Sequence, residues 1–413
     1  MDKQKLRRLF SLGVALLLGI ASTASVAQAA SICVHPRGRG ECHSTIQAAV
    51  DAASDGDQIT IRGGRYVEQV TIIDKDLTLV GQDDAVVQAP ADMGQTLLDT
   101  TGSGGLPIIG VANADVTIRN LTVDGLDSAA NNPFLEGITF VNAGGVIRNN
   151  VIRNIGFGAP TLPVDPNTGE ALYQGDPIVV INTVAIPRAI TIAENQIINY
   201  NDIGIIVGSF ADPNDPTVAN LTADVFDNTV VGLGPTDVID QWGIIMFSEA
   251  FEDSQFFVTG MIQRNRIRDV VSMDPFPLPA IGVEMNGINN VIVHDNVVEH
   301  ANIGLDGLRV FNVQIKENRL IGPHDEASTS LGLFISGSDN LMTENHFRRL
   351  DVGILLSIDD EFLGSASNTV LDENHFENVP ADILTSASSS AATANKAAQI
   401  SSRVQRYRPV MRP

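Results

Sequence analysis

Ile192-Ala-Glu-Asn195-Gln-Ile197 occurs, with small changes, eight times along this chain of 413 residues. Each copy places an asparagine between two apolar residues. The copies lie at 147–152, 192–197, 225–230, 262–267, 293–298, 315–320, 342–347 and 371–376. Their asparagines are 22 to 45 residues apart. Repeats of this period are typical of solenoids, in which successive coils stack on one another.

Each coil is predicted to contain about three short strands. The apolar residues of the phrase, such as Ile192 and Ile197, point inward, and a second apolar pair follows a glycine, as in Gly204-Ile205-Ile206. The asparagine is predicted at a bend, where its side chain tolerates left-handed backbone and forms a ladder through the stack. The sequence therefore predicts an all-β fold, a right-handed parallel β-helix forming a single-stranded solenoid of about ten coils.

The first 29 residues have the composition of a secretory signal peptide. Basic residues precede an apolar run from Leu9 to Ile20, and small residues follow up to Ala27-Gln28-Ala29. No later segment has the roughly 20 consecutive apolar residues of a transmembrane helix. We therefore expect a secreted or periplasmic protein that does not span a membrane.

The two cysteines, Cys33 and Cys42, follow this segment directly. Export to an oxidising compartment predicts a disulfide between them. A metal site that also uses His35 and His43 is the alternative.

An alanine-rich amphipathic helix is predicted next, with Ser44 as its N-cap and Gln47 three residues later. This N-terminal capping α-helix would close the solenoid, whose open end exposes apolar core and unpaired strand edges. The predicted organisation is a signal peptide (1–29), a disulfide loop with the capping helix (30–56), the β-helix (57–384) and a basic tail (385–413).

Three segments resemble the N-terminal section of pectin methylesterases and of many bacterial parallel β-helix repeat proteins: Thr45–Val50, Gly64–Glu68 and Leu77–Gly81. The resemblance covers residues 33 to 388 and implies the pectin-lyase-like superfamily. That superfamily includes pectate lyases, polygalacturonases, pectin methylesterases, alginate epimerases and proteins without known activity. The catalytic motifs of methylesterases and polygalacturonases do not occur in this chain, so the fold leaves the function open.

Gly322-Pro-His324-Asp325-Glu326 is similar to the Asp-Pro-His motif of mannuronan epimerases. The resemblance implies that His324 performs acid/base chemistry at a sugar C5. A glycine stands where the motif has its leading aspartate, and proline, histidine and acidic residues are also ordinary turn composition.

Strand alternation predicts an outward-facing row on the strands that follow the glycines: Thr139, Val179, Ile206, Ile245, Gly282, Asp306, Phe334 and Leu355. The row is mostly apolar, which indicates a covered surface. The candidate covers are the proline-rich insertions at 156–177, 208–217 and 274–279, or the C-terminal tail. Self-association along this face is a further interpretation.

Asp306 is the charged residue of this row, and it defines the candidate catalytic site. Glu284 is predicted one coil earlier, Arg309 on the same coil, and His324 and Asp325 in a turn over the patch. In an enzyme, Asp306 or Glu284 would serve as acid/base, His324 as base, and Arg309 would neutralise a substrate carboxylate. A surface ion pair between Asp306 and Arg309 is the alternative.

Trp242 is the only tryptophan of the chain. It is a candidate for substrate binding by stacking on a sugar ring. Packing of the indole against a loop is the alternative.

The net charge of the chain limits the kinds of binding partner that it can have. The signal segment carries a net +3 and the tail a net +5, so the whole-chain charge of −23 leaves −31 on residues 31–384. This charge argues against nucleic acid and would repel a polyuronate unless Ca²⁺ bridged the two. The acidic turns at 212–215, 249–253 and 359–361 are candidate Ca²⁺ sites.

The tail from Thr385 begins with small residues and ends with a basic segment. Its composition predicts a loosely held peptide. Two interpretations are open: docking back along the acidic rod, or tethering of the rod to an anionic surface.

Two functions fit the sequence. The favoured one is an exported β-helix protein that binds polysaccharide or another cell-envelope component without catalysis. The alternative is a polysaccharide lyase, C5-epimerase or esterase that acts on uronic-acid polysaccharide at a divergent site near Asp306 and His324. Fold analogy is the main support for the second.

Overall fold

The structure, a computed structural model, describes residues 29–94, 105–128, 132, 134–156, 175–210, 220–235, 241–249, 258–272, 280–323, 330–357 and 365–385. The described residues from Ser31 onward form one compact unit. Its described residues form parallel strands in three sheets that run the length of the stack. The predicted signal peptide, most of the proline-rich insertions and the basic tail lie outside the described residues.

Sheet I contains twelve strands. In stacking order they are Ser31–Val34 (β1), Gln58–Ile61 (β2), Thr78–Gly81 (β5), Asp115–Arg119 (β8), Gly144–Arg148 (β11), Arg188–Ala193 (β14), Leu221–Phe226 (β17), Val258–Gln263 (β20), Val291–His294 (β23), Gln314–Lys316 (β26), Leu341–Thr343 (β29) and Val370–Asp372 (β32).

Sheet II contains eleven strands. They are Gly64–Val67 (β3), Ala85–Gln88 (β6), Thr122–Asp124 (β9), Val151–Ile155 (β12), Gln196–Tyr200 (β15), Thr229–Val231 (β18), Arg266–Val270 (β21), Val297–Ala301 (β24), Arg319–Ile321 (β27), His346–Arg348 (β30) and His375–Glu377 (β33).

Sheet III also contains eleven strands. They are Val70–Ile73 (β4), Leu106–Ala112 (β7), Leu135–Val141 (β10), Gly175–Asn182 (β13), Ile203–Phe210 (β16), Trp242–Glu249 (β19), Ile281–Asn286 (β22), Ile303–Phe311 (β25), Leu331–Ser338 (β28), Val352–Leu356 (β31) and Ala381–Thr385 (β34). Strands of sheets I, II and III alternate along the chain, so a full coil contributes one strand to each sheet. The predicted parallel β-helix is confirmed.

The core runs through the centre of the three sheets. The inward residues of one coil, Ile192, Ile197 and Ile205, are fully buried, and the same positions of the neighbouring coils stack on them. Burial of one such aliphatic side chain contributes roughly 1.5–3 kcal/mol. Because every coil repeats the contribution, the alternation of apolar residues in the repeated phrase is sufficient to specify the stack.

The predicted asparagine ladder is present. In each step the side-chain Nδ2 of one asparagine donates to the Oδ1 of the next at 3.0–3.1 Å. The ladder contains Asn150, Asn195, Asn228, Asn265, Asn296, Asn318, Asn345 and Asn374. The first seven are at most 1% exposed. The ladder therefore satisfies a column of buried polar groups that would otherwise be unpaired.

One detail of the ladder differs from the prediction. The left-handed backbone belongs to the residue before each ladder asparagine, for example Glu194 with φ 56°, Arg264 with φ 50° and Glu317 with φ 57°. The eight asparagines themselves have no positive φ. The preceding residue makes the bend, and the bend leaves the asparagine side chain on the buried side, where it bonds to the neighbouring coils.

The predicted capping helix is Ile46–Ala52 (α1), and its buried residues Ile46, Ala49 and Val50 belong to the core. Its N-cap is Thr45 rather than Ser44, because the Thr45 side chain accepts a hydrogen bond from the Ala48 amide. The Glu68 carboxylate accepts the amides of Ile46 and Gln47 at 2.9 and 3.0 Å, so donors of the first turn have partners.

The predicted disulfide is confirmed: Cys33 and Cys42 are bonded, with their Cα atoms 4.6 Å apart. Both cysteines are therefore committed to the bridge rather than to a metal. In the described part of the chain, no helix has the length and hydropathy of a membrane span.

Candidate functional site

The outward row of sheet III is the first part of the candidate site. The strand register aligns Thr139, Val179, Ile206, Ile245, Glu284, Asp306, Phe334 and Leu355. The prediction was wrong at one position, where it placed Gly282. Val283 pairs with Leu305, so the outward residue of that coil is Glu284, two positions later.

The row is buried rather than open to solvent. Thr139 is fully buried, Phe334 and Leu355 are 2% exposed, and Ile245 and Glu284 are half-buried. Burial agrees with the prediction of a covered surface. The insertions predicted as covers lie largely outside the described residues.

Asp306 and Glu284 are therefore direct neighbours on adjacent strands, β25 and β22. Asp306 is fully buried, and within the described residues neither oxygen of its carboxyl group has a hydrogen-bond partner. Its other register neighbour is Phe334, and Ile303 and Leu308 flank it on its own strand in an apolar cluster. Burial raises the pKa of Asp306 well above its ordinary value, and the charge of Glu284 raises it further.

The carboxyl group of Glu284 accepts hydrogen bonds from neighbouring side chains, in contrast to that of Asp306. Its Oε2 accepts the indole N–H of Trp242 at 2.9 Å, and the side chain of Asn286 also bonds to it. The Oδ1 of Asn286 in turn accepts from the Arg309 guanidinium at 3.1 Å. Burial raises the pKa of Glu284, and the hydrogen bonds from Trp242 and Asn286 lower it. Burial has the larger effect, so the pKa of Glu284 is about 7.

The structure thus brings together four of the residues singled out in the sequence. Glu284 lies beside Asp306, Trp242 bonds to Glu284, and Arg309 is connected to Glu284 through Asn286. Arg309 is exposed and bonds to Asn286. The ion pair between Arg309 and Asp306 that the sequence left open as an alternative is therefore not formed. His324 and Asp325 lie outside the described residues.

Trp242 is 5% exposed and packs in the apolar cluster with Ile281, Ile303 and Leu308. The ring of Trp242 is therefore covered, and its indole N–H donates a hydrogen bond to Glu284. Stacking of Trp242 on a sugar stays a prediction.

A second carboxyl pair lies on the same face and was missed in the sequence. Glu136 and Asp176 are register neighbours on β10 and β13, and they are 6% and 7% exposed. The Thr139 hydroxyl donates to Glu136 at 2.5 Å, and the Ile203 amide donates to Asp176 at 3.0 Å. Burial raises the pKa of Glu136 to about 7 and, with the charge of Glu136, that of Asp176 to about 8.

The signal for this pair was an acidic residue inside an apolar strand, as in Leu135-Glu-Gly-Ile-Thr-Phe-Val141. A glycine makes room for it. A Cβ on Gly105 would lie 2.1 Å from the Glu136 carboxylate oxygen, so the carboxyl group packs directly on bare backbone.

No group of three or more metal-ligating side chains occurs among the described residues. The acidic turns predicted as Ca²⁺ sites lie almost entirely outside them. The prediction of Ca²⁺ therefore stays a prediction.

Several solved structures align with this chain. A GH136 lacto-N-biosidase from Eubacterium ramulus aligns over 91% of this chain and 69% of its own, with 10% identity and a TM-score of 0.52. An alginate lyase from a Paenibacillus species aligns over 86% and 97%, with 12% identity and a TM-score of 0.44. A polygalacturonase from Erwinia carotovora aligns over 88% and 99%, with 12% identity and a TM-score of 0.39.

No protein-family model matches the chain, and no curated protein sequence matches it. At such low identities the structural likeness shows the fold alone. That fold is the parallel β-helix, as the repeated phrase predicted.

Proposed function

We propose that this pectin-lyase-like β-helix protein is an exported enzyme that cleaves a neutral polysaccharide, with Glu284 as its acid/base residue. The observation that carries the proposal is a pair of adjacent carboxyl groups on the outer face of sheet III, half-buried Glu284 beside fully buried Asp306. Burying two carboxyl groups side by side is unfavourable for folding. Strongly perturbed carboxyl groups with a specific charge partner are concentrated at functional sites.

The environment of Glu284 suits proton donation. A pKa of about 7 leaves a large protonated fraction at neutral pH. When Glu284 gives its proton to a glycosidic oxygen, the bond from that oxygen to the anomeric carbon breaks, and the water that adds to the anomeric carbon returns a proton to the Glu284 carboxylate. In between, this carboxylate accepts hydrogen bonds from Trp242 and Asn286. Asp306 lies beside Glu284 on the adjacent strand and is fully buried, and the charge of Glu284 favours the protonated form of Asp306. We therefore assign contact with substrate to Glu284 and a positioning role to Asp306.

The charge of the chain supports a neutral substrate. Residues 31–384 carry a net charge of −31, which disfavours approach of a polyuronate. The cation connected to the site, Arg309, is engaged by Asn286. Removal of the C5 proton of a uronate, the lyase and epimerase alternative, requires neutralisation of the substrate carboxylate, and glycosidic cleavage does not. We therefore favour hydrolysis over the uronate chemistry considered from the sequence.

Incubation of the mature protein with a panel of neutral glycans, pectate and alginate tests the proposal. We expect new reducing ends from a neutral glycan. Glu284→Gln should lower kcat by at least about 100-fold, because general acid catalysis contributes roughly that much or more. KM should change little. The matched control is Glu299→Gln on sheet II, where Glu299 forms a surface ion pair with Arg266. Full activity in Glu284→Gln would contradict the proposal.

Trp242→Phe should move the pH dependence of that activity. The indole N–H stabilises the ionised form of Glu284, so its loss raises the pKa of Glu284 above about 7. Because the protonated form donates the proton, activity in the variant should persist to higher pH than in the wild type. A loss of thermal stability with an unchanged pH profile would mean that Trp242 only fills space.

Binding without catalysis is the second candidate, and the full burial of Asp306 favours it. It predicts retention of the protein on one glycan of the panel, without new reducing ends, unsaturated products or released methanol. Retention should then be the same for wild type and Glu284→Gln.

A further inference from the structure

Among the residues that the structure describes, the core of the β-helix is open at its C-terminal end. The last coil places Leu371, Phe376 and Ile383 at the inward positions, in register with three buried residues of the preceding coil, Met342, Phe347 and Ile354. Those three residues are at most 1% exposed. By contrast, Ile383 is 45% exposed, and Leu371 and Phe376 are only half-buried. Apolar surface that every other described coil buries therefore faces outward here.

The strand edges are open at the same end. The strands β32, β33 and β34 are the last described members of sheets I, II and III, so within the described chain each has a strand neighbour on one side only. The opposite end differs, because α1 places Ile46, Ala49 and Val50 in the core beside the first coils. An uncovered sheet edge with apolar residues is a site for pairing with further chain.

Charge indicates the kind of chain that would fit. The last described coil, residues 365–385, contains four acidic residues and no lysine or arginine: Asp372, Glu373, Glu377 and Asp382. The segment that follows, residues 386–413, has five basic residues and no acidic ones. The two are complementary in charge and continuous in sequence.

We propose that residues 386–413 cover the C-terminal end of the β-helix as a basic, strand-forming cap. The segment begins one residue after β34 and contains 28 residues, within the 22 to 45 residues that separate successive ladder asparagines. Its apolar residues Ile400 and Val404 are four residues apart, so they lie on one face of an extended chain and supply side chains for the open core. Addition of an extended peptide to an exposed sheet edge satisfies its backbone groups and gives side-chain contacts at alternate positions.

A second copy of the chain fits this end less well. Two C-terminal ends placed face to face would bring four acidic residues against four others. Like charges in close contact are unfavourable. The tail provides the opposite charge within the same molecule.

Hydrogen exchange of the last-coil amides in the full-length protein tests the cap. We expect the amides of β32–β34 to be protected, and the double variant Arg406→Glu with Arg408→Glu to exchange at least tenfold faster there, with coils before β28 unchanged. The matched control is Arg37→Glu with Arg39→Glu, which reverses two exposed charges near the N-terminus and should leave β32–β34 unchanged.

Sedimentation of the same proteins completes the test. We expect a monomer whose last-coil protection is independent of protein concentration and is reduced by salt. Equal exchange in the tail variant and the wild type would overturn the proposal. A dimer whose last-coil protection rises with concentration would also overturn it, since a second copy would then be the cover.

Discussion

Asn265→Ala should lower the free energy of unfolding by about 3–5 kcal/mol, because removing the side chain leaves two or three buried polar groups unpaired at roughly 1–3 kcal/mol each. Asn265 donates to the Val225 carbonyl at 2.8 Å and accepts both the backbone amide and the side-chain amide of Asn228 at 3.0 Å. All of these groups are buried among stacked coils.

Chemical denaturation of the Asn265→Ala variant, compared with that of an Arg266→Ala control, measures this effect. Arg266 is the next residue, is exposed, and forms a surface ion pair with Glu299. Such pairs contribute at most about 1 kcal/mol, so the control should unfold close to the wild type. Equal midpoints for the two variants would mean that the ladder does not stabilise the stack.

The protein should be more stable at pH 4.5 than at pH 8, by at least about 3 kcal/mol, the linkage equivalent of roughly two pKa units. The reason is the two buried carboxyl pairs. Burial raises the pKa of Glu136 and of Glu284 to about 7 and that of Asp176 to about 8. The pKa of Asp306 is raised as well.

The sign follows from proton linkage. Below the ordinary values of 4.5 for glutamate and 3.8 for aspartate, these groups are protonated in both the folded and the unfolded states. As the pH rises, the unfolded chain ionises first, while the folded protein keeps its protons until about pH 7 to 8. Stability is therefore lost across this window. Glu194 and Asp227, whose pKa values are lowered by ion pairs with arginine, act with the opposite sign and at lower pH.

Melting temperatures between pH 4.5 and 8 check this prediction. Each of two double variants, Glu136→Gln with Asp176→Asn and Glu284→Gln with Asp306→Asn, should make the melting temperature less dependent on pH. The matched control, Asp83→Asn with Asp84→Asn, removes two exposed carboxylates of the turn after β5 and should keep the wild-type slope. A melting temperature that rises from pH 4.5 to 8 would contradict the predicted sign.

The fold was predictable because its main cause is local and repeated. Apolar residues on both sides of an asparagine, as in Ile192 to Ile197, specify an inward strand, a bend and a ladder position in each coil, and stacking follows from burial. The position of the left-handed residue was not predictable in this way. Glu194 and Glu317 adopt positive φ although glutamate has no preference for it, because the stacked coils fix the bend.

The candidate site was predicted only in part, because a shift of two residues changes which side chains meet. Asp306, Glu284 and Arg309 were identified by charge, but the contact between Asp306 and Glu284 depends on the strand register. The hydrogen bond from Trp242 to Glu284 spans a sequence separation of 42 residues. Glu136 and Asp176 were missed because two acidic residues separated by a long insertion give no local pattern.

The titration of the Glu284 side-chain carboxyl group is the most direct test of the central claim, and it requires no substrate. The protein is labelled with ¹³C at the carboxyl carbon of its glutamates, and NMR spectra are recorded from pH 3 to 9 in steps of roughly half a pH unit. The Glu284 signal is assigned by its loss in Glu284→Gln. We expect an inflection at about 7 for Glu284. An inflection at the ordinary glutamate value of 4.5 would contradict the assignment of Glu284 as a buried acid/base residue.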